Sequence, residues 1–210
     1  MRLYIYEHCP FCTRARLALG LKDVAYEPVV IMEGDAETPT RLIGKKAVPI
    51  LEKPDGTHMG ESLDIVHFVD HLSSPAFDGP ANEAIDNWVE EAWPLSLKLF
   101  IPRFTKADFA ELATPEAREA YRLREVKAFG DLEQLLLDSP TYLPEMNAKL
   151  EKLVHLLARQ SDIGISDIKL WPVLRSLSIV KDLTFPAPVK DYMIRLEKAG
   201  GVPLLFDQAM

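Results

Sequence analysis

The two cysteines of the chain lie in one motif, Cys9-Pro10-Phe11-Cys12, between a predicted strand and a predicted helix. At the open N-terminus of a helix, unpaired backbone N–H groups and the positive end of the helix dipole stabilise a thiolate. Cys9 is therefore the candidate nucleophile. Cys12, one turn later, could attack a mixed disulfide formed at Cys9. The spacing and its context predict thiol–disulfide chemistry.

Two other uses of the cysteine pair stay open. A zinc site could combine the cysteines with His8 and a distant histidine, but no second Cys-x-x-Cys motif exists, and the i, i+4 pair His67 and His71 is weak support. The cysteines could also be unreactive. Haem attachment is excluded because Thr13, not histidine, follows Cys12. We favour redox chemistry over the other two.

Three side chains near the motif have open roles. His8 and Arg14 could place positive charge near Cys9, but a solvated loop histidine and an exposed helix arginine are favoured by a small margin. Tyr6 could either border the site or pack in the core.

Short elements in residues 1–75 must position the motif. The pattern of residue types along this segment predicts the order β-α-β-α-β-β-α. Its strand–helix–strand start implies a parallel pair of strands with a right-handed crossover. The predicted strands cover 2–6, 24–31, 48–52 and 57–59, and the predicted helices cover 12–19, 36–43 and a segment from Ser62, the first two ending at Gly20 and Gly44.

Strand patterns are missing after residue 75. Residues 76–81 predict a linker, and residues 82–210 predict an all-α domain. Trp88, Trp93 and Trp171 are expected in its core or at the boundary between the halves. The predicted helices cover 82–104, with a kink at Pro94 and an end near Pro102, then 115–138 behind a Thr114 cap, 144–160, 166–181 and 189–199.

Composition excludes several classes of protein. Apolar residues make up 48% of the 210 residues and charged residues 27%, which suits a folded core and not a disordered chain. The net charge of −8 argues against nucleic-acid and anionic-membrane partners, which would repel the chain. No signal-peptide pattern or membrane-length apolar run is visible. We therefore expect a cytoplasmic protein.

Several motifs in order carry a family resemblance. They resemble a glutaredoxin-type thioredoxin domain, and with the helical second half the whole chain is similar to two-domain bacterial glutaredoxins with a glutathione-transferase-like fold. The motifs are the Cys-Pro-Phe-Cys segment after residues 3–6, then Asp35 to Arg41, Ala47 to Leu51, Gly60 to Ile65, and Ile101 to Phe104.

The resemblance implies an α/β thioredoxin-like domain followed by an all-α helical bundle. It implies a glutathione-dependent thiol–disulfide oxidoreductase, with glutathione as co-substrate, no tightly bound cofactor and no metal. Glutathionylated or disulfide-bonded proteins would be its substrates.

The resemblance also assigns roles to residues. Cys9 would be the nucleophile and Cys12 the resolving cysteine. Val48, before a cis Pro49, would pair its backbone with glutathione, like an added strand. Glu61 and Ser62 would hold the γ-glutamyl end, although capping of the following helix is the plainer interpretation of these two residues alone.

Two alternatives to the oxidoreductase remain. A glutathione transferase would join glutathione to an electrophile, but two nearby cysteines suit disulfide exchange better. A binding module that lacks activity would have no need of two reactive thiols.

Phe11 stands where this family usually has tyrosine, so any hydrogen bond from that hydroxyl to glutathione would be lost.

Overall fold

The computed structural model describes residues 1–158 and 162–210. Its strands are β1 (Arg2–Ile5), β2 (Glu27–Val30), β3 (Ile50–Glu52) and β4 (His58–Met59). Its helices are α1 (Pro10–Leu21), α2 (Glu37–Ile43), α3 (Ser62–Asp70), α4 (Glu83–Phe104), α5 (Pro115–Phe129), α6 (Leu132–Leu137), α7 (Ser139–Leu157), α8 (Ile165–Leu177) and α9 (Ala187–Gly200), with 3₁₀ turns at Ala110–Leu112 and Phe206–Gln208.

The four strands form one sheet in the order β2-β1-β3-β4. Strand β1 is parallel to β2 and antiparallel to β3, so Leu3 lies between Pro28 and Leu51. The predicted parallel pair is therefore confirmed, and Pro28 lies in an edge strand, where a missing N–H is tolerated. Leu3 and Leu51 are fully buried, and helices α1 and α3 pack against each other.

Helix α1 also connects the two halves of the molecule, since it packs against α8 and α9. The prediction that α1 ends before Gly20 is wrong, because the helix continues to Leu21. Gly20 serves a different purpose, which is close approach of two backbones. A Cβ atom on Gly20 would lie 1.9 Å from the carbonyl oxygen of Gly200 in α9.

Helix boundaries in the second half differ from the predictions at several places, and the helix predicted over 166–181 ends at Leu177. The single helix predicted over 115–138 is wrong: it is broken at Gly130, whose φ is +75°. Asp131 then caps α6 by accepting the backbone N–H groups of Glu133 and Gln134. Helix α7 begins at Ser139 and contains Pro144, and the predicted end at residue 160 lies outside the described residues.

The predicted ends of two other helices are confirmed. Thr114 caps α5, since its side chain accepts the N–H of Ala117 at 3.2 Å. Helix α2 ends at Gly44 in the left-handed conformation, with φ of +76°. Helix α4 continues through Pro94 and ends at Phe104, two residues after Pro102.

The tryptophans lie where they were expected. Trp171 is fully buried and donates its ring N–H to the carbonyl of Met193 at 2.9 Å. Trp88 is buried among the helices of the second half. Trp93 is half-buried on α4 and lies edge-on to Phe11 of α1, so it marks the boundary between the halves.

Across the described ranges 1–158 and 162–210, none of the helices has the length and apolarity needed to cross a membrane.

Replacing Gly20 with alanine should destabilise the protein, although alanine is the better helix former. The added methyl group would overlap the Gly200 carbonyl and force α1 away from α9. We expect a loss of about 2 kcal/mol, which lowers Tm by about 4 to 8 °C in thermal unfolding. Gly79→Ala is the matched control, because its Cβ would meet nothing within 4 Å. Equal Tm values for the two variants would contradict the close approach.

Candidate active site

Cys9 immediately precedes helix α1, at the N-cap position, and Pro10 is the first helical residue. The missing N–H of Pro10 costs little there, because the first N–H groups of a helix have no partner within it. The Cys9 carbonyl accepts both the backbone N–H and the hydroxyl of Thr13, at 3.0 and 3.1 Å. The main chain around Cys9 is therefore fixed, and its side chain is half-buried at the surface.

The two thiols are unlike each other. Cys12 is fully buried, and both cysteines are free thiols. A hydrogen bond from the Cys12 side chain lowers the pKa of Cys9 to about 6 against the opposing effect of burial, with help from the charge of His8 and the N–H groups of the first turn. Burial, followed by the hydrogen bond to Cys9, raises the pKa of Cys12 well above its ordinary value. These opposite shifts favour ionisation of Cys9 before Cys12.

A cavity of about 200 Å³ opens beside Cys9. The peptide bond between Val48 and Pro49 is cis, as predicted, and Val48 lies at the wall of this cavity. Lys46 and Arg124 bring positive charge to the same space. The lining residues are Tyr6, His8, Cys9, Pro39, Lys46, Ala47, Val48 and Arg124.

A second cavity of about 200 Å³ shares Cys9, His8 and Arg124 with the first. It lies between the start of α1 and helices α4 and α5, and its walls are mainly aromatic and aliphatic. Phe11, Trp93, Leu97, Phe100, Ile101, Phe104, Tyr121 and Phe129 line it. A group bound there would contact the same sulfur as a group in the first cavity.

Glu61 and Ser62 occupy the start of α3 and do not line either cavity. Glu61 has a φ of +62°, is exposed, and pairs with Lys45 at 2.5 Å. Ser62 is buried as the first residue of the helix. Pro49 is buried beside Val48.

His8 is not the solvated loop histidine that the sequence favoured. Its side chain is buried, stacked on Tyr6, with Nδ1 2.6 Å from Oε1 of Glu111 in the second half. Arg14 is half-buried and not exposed, and its guanidinium lies 4.7 Å from the centre of the Phe11 ring. Both expectations are therefore wrong, because the helical half covers this side of the motif. Both roles considered for Tyr6 apply, since its side chain is buried in the core and also borders the first cavity.

No group of three or more histidine, cysteine, aspartate or glutamate side chains within residues 1–158 and 162–210 is arranged to hold a metal ion.

Comparison with known proteins decides the family. The family model described as "Glutaredoxin 2, C terminal domain" matches residues 84–209, and "Glutathione S-transferase, N-terminal domain" matches residues 3–77. Glutaredoxin 2 of Escherichia coli strain K12 is 38% identical over 215 residues, which covers all of both chains. The chain belongs to the glutaredoxin 2 family.

Solved structures agree with this membership. The crystal structure of glutaredoxin 2 from Salmonella typhimurium, in complex with glutathione, has a TM-score of 0.97 and 36% identity, covering all of this chain and 98% of that one. A glutathione transferase of Phanerochaete chrysosporium has a TM-score of 0.72 at 14% identity, covering 95% of this chain and 96% of that one, which shows a shared fold alone. The predicted family and the predicted fold class, thioredoxin-like and then all-α, are confirmed.

Several residues at the candidate site had no clear signal in the sequence. Lys46 lies two residues before Val48 without a motif of its own. Arg124 comes from α5, and Glu111 lies 103 residues from His8. One weak signal for Glu111 exists: it stands alone among Phe109, Ala110 and Leu112, and a carboxylate in an apolar segment is often buried with a partner.

Alkylation with iodoacetamide should separate the two cysteines of the reduced protein. Because its pKa is about 6, Cys9 should reach half of its maximal rate near pH 6. Cys12 should stay unlabelled at that pH, because it is buried and its pKa is raised. Peptide mapping by mass spectrometry reads both sites, with the urea-unfolded protein as the control in which both react. Labelling of Cys12 before Cys9 would reverse the assignment.

Proposed function

We propose that this chain is a glutathione-dependent thiol–disulfide oxidoreductase that acts through Cys9 and Cys12. The observation that carries the proposal is the contrast between the two sulfurs at the start of α1. One is partly exposed with a lowered pKa, and the other is buried with a raised pKa. Membership of the glutaredoxin 2 family supports the same activity.

The chemistry follows in two steps. The Cys9 thiolate attacks the glutathione sulfur of a mixed disulfide, and the new S–S bond forms as the old one breaks. The substrate leaves as a thiolate and takes up a proton. A second glutathione thiolate then attacks the glutathione sulfur bound to Cys9, which releases oxidised glutathione and restores the Cys9 thiolate. For protein disulfides, the Cys9 thiolate attacks one sulfur of the substrate disulfide, and Cys12, on losing its proton, attacks the Cys9 sulfur of the mixed disulfide. The reduced protein leaves and a Cys9–Cys12 disulfide remains, which two glutathione molecules reduce with release of oxidised glutathione.

Glutathione would bind in the cavity that contains Val48. The cis Val48–Pro49 bond lies beside Cys9, where the Val48 backbone could pair with the cysteinyl part of glutathione. Lys46 suits a peptide that carries carboxylates, and Arg124, although paired with Glu33 and Glu125, lines the same cavity. For the γ-glutamyl end we propose Glu61 and Ser62, because a helix N-terminus with a hydroxyl favours a carboxylate. The glutathione complex of the Salmonella typhimurium relative supports this ligand.

The substrates and setting of the activity follow from the same reasoning. We propose glutathionylated and disulfide-bonded proteins as substrates, no association with membranes or nucleic acid, and a cytoplasmic location. Division into domains at 1–75 and 82–210, with a linker at 76–81, stays a prediction that the family matches at 3–77 and 84–209 support.

Two parallel assays distinguish this function from glutathione conjugation. The reduced protein is given glutathione, glutathione reductase and NADPH with hydroxyethyl disulfide, and separately glutathione with a chloro-nitrobenzene electrophile. Disulfide turnover without conjugation is expected. Conjugation alone would establish a transferase, for which the shared fold is the present support, and inactivity in both would leave a binding module.

Serine variants test the roles of the two cysteines. Cys9→Ser should reduce disulfide turnover to background, because a serine hydroxyl is not ionised near neutral pH and no thiolate remains exposed. Cys12→Ser should keep turnover of glutathionylated substrates within about tenfold, since a second glutathione resolves Cys9. It should lose most reduction of protein disulfides. Retained deglutathionylation by Cys9→Ser would refute the mechanism.

A further inference from the structure

The 3₁₀ turn Ala110–Leu112 belongs to the helical half of the chain, yet it is bonded to the thioredoxin-like half. The N–H of Ala110 donates to the carboxylate of Glu7 at 2.9 Å. The carbonyl of Glu111 accepts the N–H of Glu33 at 3.0 Å. These contacts hold the Glu111 side chain in one place relative to the cysteine motif.

Both polar contacts of the Glu111 side chain are with His8. Its Oε1 accepts the backbone N–H of His8 at 2.9 Å and lies 2.6 Å from Nδ1 of the His8 ring. The side chain is fully buried, and Oε2 has no hydrogen-bond partner among the described residues. An ionised carboxylate removed from water is costly unless a positive charge lies against it. The group in contact that can supply the charge is the His8 ring.

The His8 ring has little freedom to turn away. It stacks on Tyr6 with centroids 5.7 Å apart, and three further rings surround it at tilted or edge-on angles, namely Phe104, Phe109 and Tyr121. His8 adjoins Cys9 in the chain, and the two side chains line both cavities together. Whatever charge the ring carries is therefore close to the reacting sulfur.

Two arginines near the pair already have partners of their own. Arg124 of α5 is bound to the carboxylates of Glu33 and Glu125, at 2.5 and 2.8 Å. Arg175 of α8 donates to the backbone carbonyls of Pro203 and Glu7. Besides Glu111, the titratable groups that line the cavities with His8 and Cys9 are Tyr6, Lys46, Tyr121, Arg124 and Glu125, and Arg14 and Arg175 lie close enough to interact with the charge of Cys9. The contact of His8 with Glu111 is the shortest approach of a charge to the ring.

We propose that Glu111 is a positioning residue for the thiol chemistry: it orients the His8 ring beside Cys9 through the contact with Nδ1, and its buried negative charge favours the doubly protonated imidazolium form of the ring, which then faces the thiolate. The inference rests on the proposed role of Cys9 as the nucleophile. During attack the imidazolium is not consumed: the substrate thiolate takes its proton from solvent, and His8 keeps its own.

The direction of the titrations agrees with this arrangement. Burial alone would raise the pKa of Glu111, but the hydrogen bond and charge of His8 outweigh it and the pKa is lowered. The hydrogen bond from Cys12 is the main cause of the low pKa of Cys9, and the charge of His8 lowers it further.

The test is the pH profile of Cys9 alkylation in Glu111→Gln, which keeps an oxygen acceptor for the His8 N–H and removes the negative charge. We expect the titration midpoint of Cys9 to rise by about one pH unit. Alkylation of the variant would then be about fivefold slower than that of the wild type at pH 6 and unchanged at pH 9, where Cys9 is a thiolate in both proteins. A merely structural defect would slow alkylation at both pH values. Asp70→Asn is the matched control, another fully buried carboxylate, which pairs with Lys22 away from the cavities. Its profile should match the wild type.

An unchanged Cys9 profile in folded Glu111→Gln, or equal slowing at pH 6 and pH 9, would overturn the inference. If Glu111→Gln does not fold, His8→Phe combined with Glu111→Leu leaves no buried charge and should show the same shift in the profile, and an unshifted profile there overturns it equally. Because alkylation needs no turnover, the result is separate from the disulfide assay, which tests the proposed function on the wild type.

Discussion

The environment that lowers the pKa of a half-buried sulfur is the constraint on which the rest of this site depends. At the N-terminus of α1, the Cys12 thiol and the first-turn N–H groups donate to the Cys9 sulfur and favour its thiolate. That geometry exists only if α1 starts at Pro10 and is held firmly. Strand β1 leads into it, α3 packs against it, and α8 and α9 contact it from the second half.

The second half is therefore part of the active site and not only a support. It supplies Glu111 against His8 and Arg124 at both cavities, and it covers the aromatic side of the motif through Trp93. Although the whole chain carries a net charge of −8, Lys46 and Arg124 line the cavity beside Cys9. The local arrangement, and not the overall charge, decides what the site attracts.

Local signals in the sequence were sufficient for much of the fold and for placing the two thiols at the start of a helix. Cys-x-x-Cys between a strand and a helix is a contiguous pattern, and the Gly44 and Thr114 helix ends depend on neighbouring residues alone. Gly20 was misjudged because its role is a contact with Gly200, 180 positions later in the numbering of the sequence. The contact between His8 and Glu111 was not predicted for the same reason, since a partner 103 residues away produces no periodic pattern in the sequence.

The complete burial of Cys12 gives any disulfide between the two cysteines a built-in regioselectivity. An incoming thiolate can approach only the sulfur that solvent reaches, which is that of Cys9. Cys12 is then always the leaving group, although its conjugate base is the less stable of the two. Reduction of the oxidised protein thus always places the mixed disulfide on Cys9, whichever thiol performs the attack.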